Sequence, residues 1–279
     1  MAGTSDSPGA LAGVSREEAH AMEEDFHGRL KAKIASLGAL FNPLDGKPYP
    51  VDPAARPVEW DEKDKVKRLL VDTGIFDRTV RKEMPSNRRA RVDAGARALF
   101  TGFTPAVSVV GICLCPLAEL LEKGRSAVPV GFADLSEAVR AAADRAKVFH
   151  YVGVFAPTSF SEECRQNPLR EKNLLTVLIE RGPGTAWTVR GAESFPSAGV
   201  ESLFDLETVP EKVGRCRQAI ETHKDLRLRG GLVPIADLKA ALKFPDAVFD
   251  KALADVVLSS PDLQVKEFDG VKILKHSRF

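Results

Sequence analysis

Asp269-Gly270 stands between two runs of strand-forming residues, Leu263–Phe268 and Val271–Lys275. An Asp-Gly pair accepts the positive φ of a tight two-residue turn, so this stretch predicts a β-hairpin. Upstream, Lys212–His223, Ile235–Leu242 and Asp246–Leu258 carry apolar residues at helical spacing. Residues 211–279 are therefore expected to form a domain of three helices followed by a hairpin, and no other part of the chain restricts the fold as tightly.

The chain has 279 residues, room for two domains with an accessory segment. Its 44% apolar and 28% charged residues suit a soluble globular protein. A net charge of +1 argues against a surface coated with cations for non-specific nucleic-acid binding, so any basic surface is regional. Cys113, Cys115, Cys164 and Cys216 are too sparse for a disulfide framework and suit a reducing compartment. The start of the chain lacks the basic and apolar regions of a secretory signal, and the apolar run Ala106–Leu121 is broken by Pro116. A cytoplasmic location is the expectation.

Residues 1–14, small and polar, are expected to be disordered. In 15–60, Ser15 and Glu18 have the spacing of a capping box. Behind them Met22, Phe26, Leu30, Ile34, Leu37 and Phe41 continue one apolar stripe of a long helix. That stripe packs on its own domain or on a partner, including a second copy of the chain. Five prolines between Pro43 and Trp60 predict an extended, irregular strap. The segment 61–193 reads as an α/β body. Ala106–Cys115 and Val148–Ala156 are buried strands, with intervening helices at Pro116–Gly124 and from Asp134 to Ala146. Asn173–Arg181 and Thr185–Arg190 form a hairpin across Gly182-Pro183-Gly184. A helix is also expected over Arg88–Phe100. The predicted class is α/β (α+β), a mixed sheet with flanking helices, and 194–210 is read as a linker.

Arg88, Arg89 and Arg91 belong to a basic stretch that also holds Arg78, Arg81, Lys82 and Arg97. Guanidinium groups make paired hydrogen bonds to phosphate, although such a run also serves as a solvated helix face. Thr158, Ser159 and Ser161 follow a strand and are a possible anion-binding set, set against the plainer reading of Ser159 and Glu162 as a capping box. No metal or cofactor motif stands out, and Cys113 and Cys115 read as core thiols. Glu180 lacks the lysine two positions on that a restriction-type nuclease site needs, and no Gly-x-Ser-x-Gly elbow occurs.

The order of elements in 211–275 resembles the winged helix superfamily. That resemblance implies a recognition role for the third helix and a wing formed by the hairpin. Here the third helix would present Asp246, Asp250, Lys251, Ala254 and Asp255, a poor set for base reading, whereas the wing offers Lys266, Lys272, Lys275 and Arg278. Lys224, Arg227 and Arg229 add charge nearby. The expectation is a non-catalytic nucleic-acid-associated protein that contacts DNA phosphates through Arg88, Arg89, Arg91, Lys266, Lys272 and Lys275. The alternative is a protein-interaction or assembly factor docking through the same module and the first helix.

Overall fold

The computed structural model describes residues 13–52, 56–98, 102–181, 186–191, 199–228 and 231–277. Contacts divide the chain into a body ending at Leu206 and a C-terminal unit from Glu207. The body opens with β1 (Val14–Ser15) and α1 (Arg16–Ala35), followed by the pair β2 (Ala39–Asn42) and β3 (Lys47–Pro50). Then come β4 (Val58–Trp60), α2 (Lys63–Asp72), α3 (Arg78–Glu83) and the long pair β5 (Arg89–Ala98) and β6 (Gly102–Cys113). α4 (Leu117–Lys123), β7 (Arg125–Ser126) and α5 (Phe132–Ala142) lead to β8 (Phe149–Phe155). The body closes with α6 (Glu162–Gln166), β9 (Arg170–Glu171), β10 (Leu174–Arg181), β11 (Trp187–Arg190) and α7 (Val200–Leu203).

Among the described residues the main sheet has the order β11-β10-β8-β6-β5-β4, with β9 added on β10. β6, β8 and β10 run parallel, and the strands outside them are antiparallel. This is the predicted mixed sheet with flanking helices. Side chains alternate along each strand and so supply two cores. Val109, Tyr151, Phe155, Val177 and Ile179 face α1, while Val110, Ile112, Val152, Val154 and Leu178 face α5. The apolar stripe of α1 is spent here. Phe26, Leu30 and Ile34 are buried in the body's own core, a contribution of roughly 1.5–3 kcal/mol each. Met22 and Leu37 pack against the same core. The helix ends at Ala35, so Leu37 lies beyond it and Phe41 belongs to β2. The partner surface expected of this stripe is therefore covered by the protein itself.

Other expectations need correction. Arg88–Phe100 is rich in helix formers, yet Ala90, Val92 and Ala94 are buried on one face and Arg89, Arg91 and Asp93 lie on the other. That period of two selects a strand once a sheet is available to receive it. The proline-rich segment is more regular than predicted, since it pairs β2 with β3 and β4 with β5. Part of the presumed linker is core: Val200, Leu203, Phe204 and Leu206 are buried against the α1 side of the sheet. α5 starts from Gly131, leaving Asp134 in the first turn without the cap role. Val14 pairs with Ser126, whereas residues 1–12 and the predicted turn 182–184 lie outside the described residues.

One buried polar pair crosses the sheet. His150 Nε2 donates to the Arg145 carbonyl (3.1 Å), so Nδ1 accepts from Ser108 Oγ (2.7 Å). Burial pushes the imidazole below its ordinary value, against the opposing effects of the Arg145 carbonyl and Asp144. The unfolded chain then binds the extra proton first, so this contribution is complete above about pH 6.5 and is lost as pH falls. In a histidine NMR titration, the His150 ring resonance should move at lower pH than those of unfolded-chain histidines. Titration at the ordinary value would show that the ring is solvated.

The C-terminal unit contains α8 (Val209–Glu221), α9 (Lys224–Leu228), β12 (Leu232–Pro234), α10 (Ile235–Leu242) and α11 (Asp246–Ser259), then β13 (Leu263–Phe268) and β14 (Val271–His276). Its sheet order is β12-β14-β13, all antiparallel. A capping box of Thr208 and Glu211, with Pro210 in the first turn, starts α8. Val213, Cys216, Ile220, Leu238, Phe249 and Val256 join Val233, Leu263 and Leu274 in one core. Asp269 and Gly270 both adopt the positive φ that the hairpin turn requires.

Candidate functional site

Arg88, Arg89 and Arg91 are already matched to carboxylates. Arg88 donates to Glu24 (3.0 Å) and lies 3.8 Å from Glu23. Arg89, only 8% exposed, pairs with Glu62. Arg91 reaches Asp144 (3.4 Å) and Asp93 (3.7 Å), and its guanidinium lies over Trp60. A phosphate approaching Arg89 or Arg91 would have to displace a carboxylate from a mostly buried partner.

The Arg88 and Arg89 pairs belong to a polar network at the end of β6. Glu23 on α1 is wholly buried, and its carboxylate accepts the amides of Ser86 (2.9 Å) and Arg88 (2.8 Å). Between them Asn87 takes a left-handed φ of 51°. Asn87 accepts the Cys115 amide (2.8 Å) and donates to Glu62 (3.0 Å). Buried networks of this kind are stable only when nearly every member is satisfied. Cys113 and Cys115 lie beside them with sulfurs 3.8 Å apart. Burial, then Cys115 and Glu23, push the Cys113 thiol well up, so it is protonated at neutral pH and is no nucleophile. A cavity of about 550 Å³ opens here, lined by Asn87, Arg89, Cys115, Val130, Asp134 and Glu137 among others. It lies at the carboxyl end of a parallel strand, where open α/β sheets bind small molecules.

The Thr158, Ser159 and Ser161 set is divided among structural tasks. Ser161, and not Ser159, caps α6 by accepting the Cys164 amide. Ser159, at a φ of 73°, donates to Glu180 (3.1 Å) and accepts from Arg165 (2.5 Å). Thr158 is buried and its hydroxyl has no hydrogen-bond partner among the described residues. Burial alone would raise the Glu180 carboxyl, but hydrogen bonds from Arg165 and Arg190, with Ser159, hold it below the usual range. Glu180 thus joins two arginines near the end of β10. No group of three or more candidate metal ligands occurs among the described residues.

On the C-terminal hairpin, the register sets Leu263, Val265, Glu267, Lys272, Leu274 and His276 toward one face, with Glu267 opposite Lys272, and Gln264, Lys266, Phe268, Val271, Ile273 and Lys275 toward the other. Leu263 and Leu274 are buried, so the second set is the outer face. Leu232 and Pro234 of β12 extend it. Lys266, Lys272 and Lys275 have no carboxylate within 4.0 Å among the described residues. On α11, Asp246 and Asp250 instead hold Lys239 of α10 (3.2 and 3.5 Å). The Arg227 side chain, Arg229 and Arg278 lie outside the described residues.

Glu23, Glu62 and Asn87 carry no motif and were not singled out by the sequence. Glu23 had one signal: it falls four residues after Ala19 and three before Phe26, inside the apolar stripe. No family model matches the chain, and comparisons with curated proteins and with solved structures return no match.

Proposed function

We propose that this chain is a non-catalytic nucleic-acid-associated protein whose C-terminal unit, a winged-helix-like module, contacts phosphates through its hairpin. The supporting observation is the pairing of the cations: Lys266, Lys272 and Lys275 have no carboxylate within 4.0 Å among the described residues, whereas Arg88, Arg89 and Arg91 are neutralised in the body. Lys266 and Lys275 share the outer face with exposed Phe268 and Val271, so lysines can take phosphates while the aromatic ring takes a base or sugar. The aspartates of α11 would repel a duplex backbone and leave the hairpin as the contact. Four buried free thiols are compatible with a reducing, cytoplasmic setting.

Fluorescence anisotropy with labelled duplex and single strands, from about 50 to 200 mM salt, tests this reading. Binding should depend little on sequence and fall steeply with salt. Lys266→Ala with Lys272→Ala should weaken every duplex alike and flatten the slope of log K against log salt by about two. Absence of binding to any strand at about 50 mM salt would overturn the reading. The exposed apolar groups Leu232, Phe268 and Val271 favour a second one, in which the same face docks a protein.

A further inference from the structure

The basic stretch of the body divides into two halves with different fates. Arg89 and Arg91 are locked into pairs, but Arg81 and Lys82, in the last turn of α3, have no carboxylate within 4.0 Å among the described residues. They face a cleft of about 200 Å³ that Lys63 and Lys67 of α2, His20 of α1 and Arg88 also line. No carboxylate among the described residues lines it. Lys63 pairs with Asp61 (2.6 Å), Lys67 with Asp64 (2.8 Å) and Arg88 with Glu24 (3.0 Å), so these three are compensated by carboxylates outside the lining. The His20 Nε2 sits 3.7 Å from Glu24, and its Nδ1 is buried without a hydrogen-bond partner among the described residues. Val66, Leu70 and Met84 supply apolar wall.

We propose that this cleft binds a phosphate group, free or carried on a small organic molecule. Three features select that ligand. The cations come from α2, α3 and the residue before β5, so they converge from several directions. A tetrahedral dianion can accept from all of them, whereas a planar carboxylate is satisfied by one guanidinium fork. Two of the cations, Arg81 and Lys82, have no carboxylate within 4.0 Å among the described residues, which matches the charge of a phosphate monoester near neutral pH. The volume admits a phosphate with a compact organic group against the apolar wall, and it is too small to hold a duplex. The described lining residues all belong to the body, and the inference stands without the nucleic-acid reading.

The full-length chain should be titrated by calorimetry with inorganic phosphate and with a nucleoside 5′-monophosphate. Saturable binding is expected, and Arg81→Glu with Lys82→Glu should weaken it by about tenfold or more. Arg81→Gln with Lys82→Gln should weaken it in the same direction, with an unchanged circular dichroism spectrum showing that the fold is intact. Lys266→Ala with Lys272→Ala should leave it unaltered. Equal affinity for the two probes identifies inorganic phosphate as the ligand, and tighter binding of the monophosphate identifies an organic phosphate. Absence of binding of both at about 10 mM, or binding that both cleft variants retain, overturns the proposal. So does duplex binding that is lost in the cleft variants when neither small probe binds, since the cleft would then serve a nucleic-acid backbone.

Discussion

Glu23→Ala should lower the unfolding free energy by about 3 kcal/mol, through two buried amides left without an acceptor. Glu23 is wholly buried and accepts from both Ser86 and Arg88, the residues flanking left-handed Asn87. Removing it frees the loop that leads into β5 and leaves Arg88 with Glu24 as its remaining carboxylate. Glu23→Gln keeps one acceptor but turns an amide group toward the second N–H, so it should cost roughly half as much. Urea unfolding followed by circular dichroism measures both. For a body of this size the alanine variant should melt about 6–12 °C lower. A loss below about 1 kcal/mol would mean that water replaces the carboxylate and that the loop is not held by it.

Gly153→Ala should cost about 3 kcal/mol by overpacking. Gly153 pairs with Gly111 across β8 and β6, and the two glycines lower the sheet surface where other elements settle on it. A Cβ at 153 would lie 2.5 Å from Phe204 Cδ1 and 3.0 Å from Ile179 Cδ1. Phe204 is wholly buried and cannot retreat. At 111 a Cβ would overlap Leu30 of α1 in the same way. The clash predicts its own rescue: Phe204→Leu should be destabilising alone yet partly compensating in the Gly153→Ala background. Additive losses in that double-mutant cycle would place the strain elsewhere.

How much of this was legible depends on whether a pattern is local. Hairpin β13–β14 and helices α10 and α11 occur where Asp269-Gly270 and the helical spacing put them, because turn chemistry and amphipathic periodicity act over a few residues. Strands β6 and β8 were readable for a related reason: short apolar runs between helices suit a sheet covered on both faces. β5 was misread since alanine and arginine favour helix, and its alternation gained force only beside β6. The segment Val200–Phe204 looked like a linker because the notch that receives it, at Gly153, lies far away in the chain.

The sequence by itself determined the mixed α/β class, the apolar stripe of α1 and the elements of the C-terminal unit. All three follow from residue periodicity and local turn preference. Tertiary structure alone decided where the charges go. Arg88, Arg89 and Arg91 look like one cluster in the chain, yet Glu23, Glu24, Glu62 and Asp144 come from other segments to neutralise them. Arg81 and Lys82 stand a few residues away and receive no carboxylate among the described residues, though they meet Lys63, Lys67 and His20 around one cleft. Coulomb interactions act through space, so the pairing of a cation depends on which distant segments the fold brings within a few ångströms.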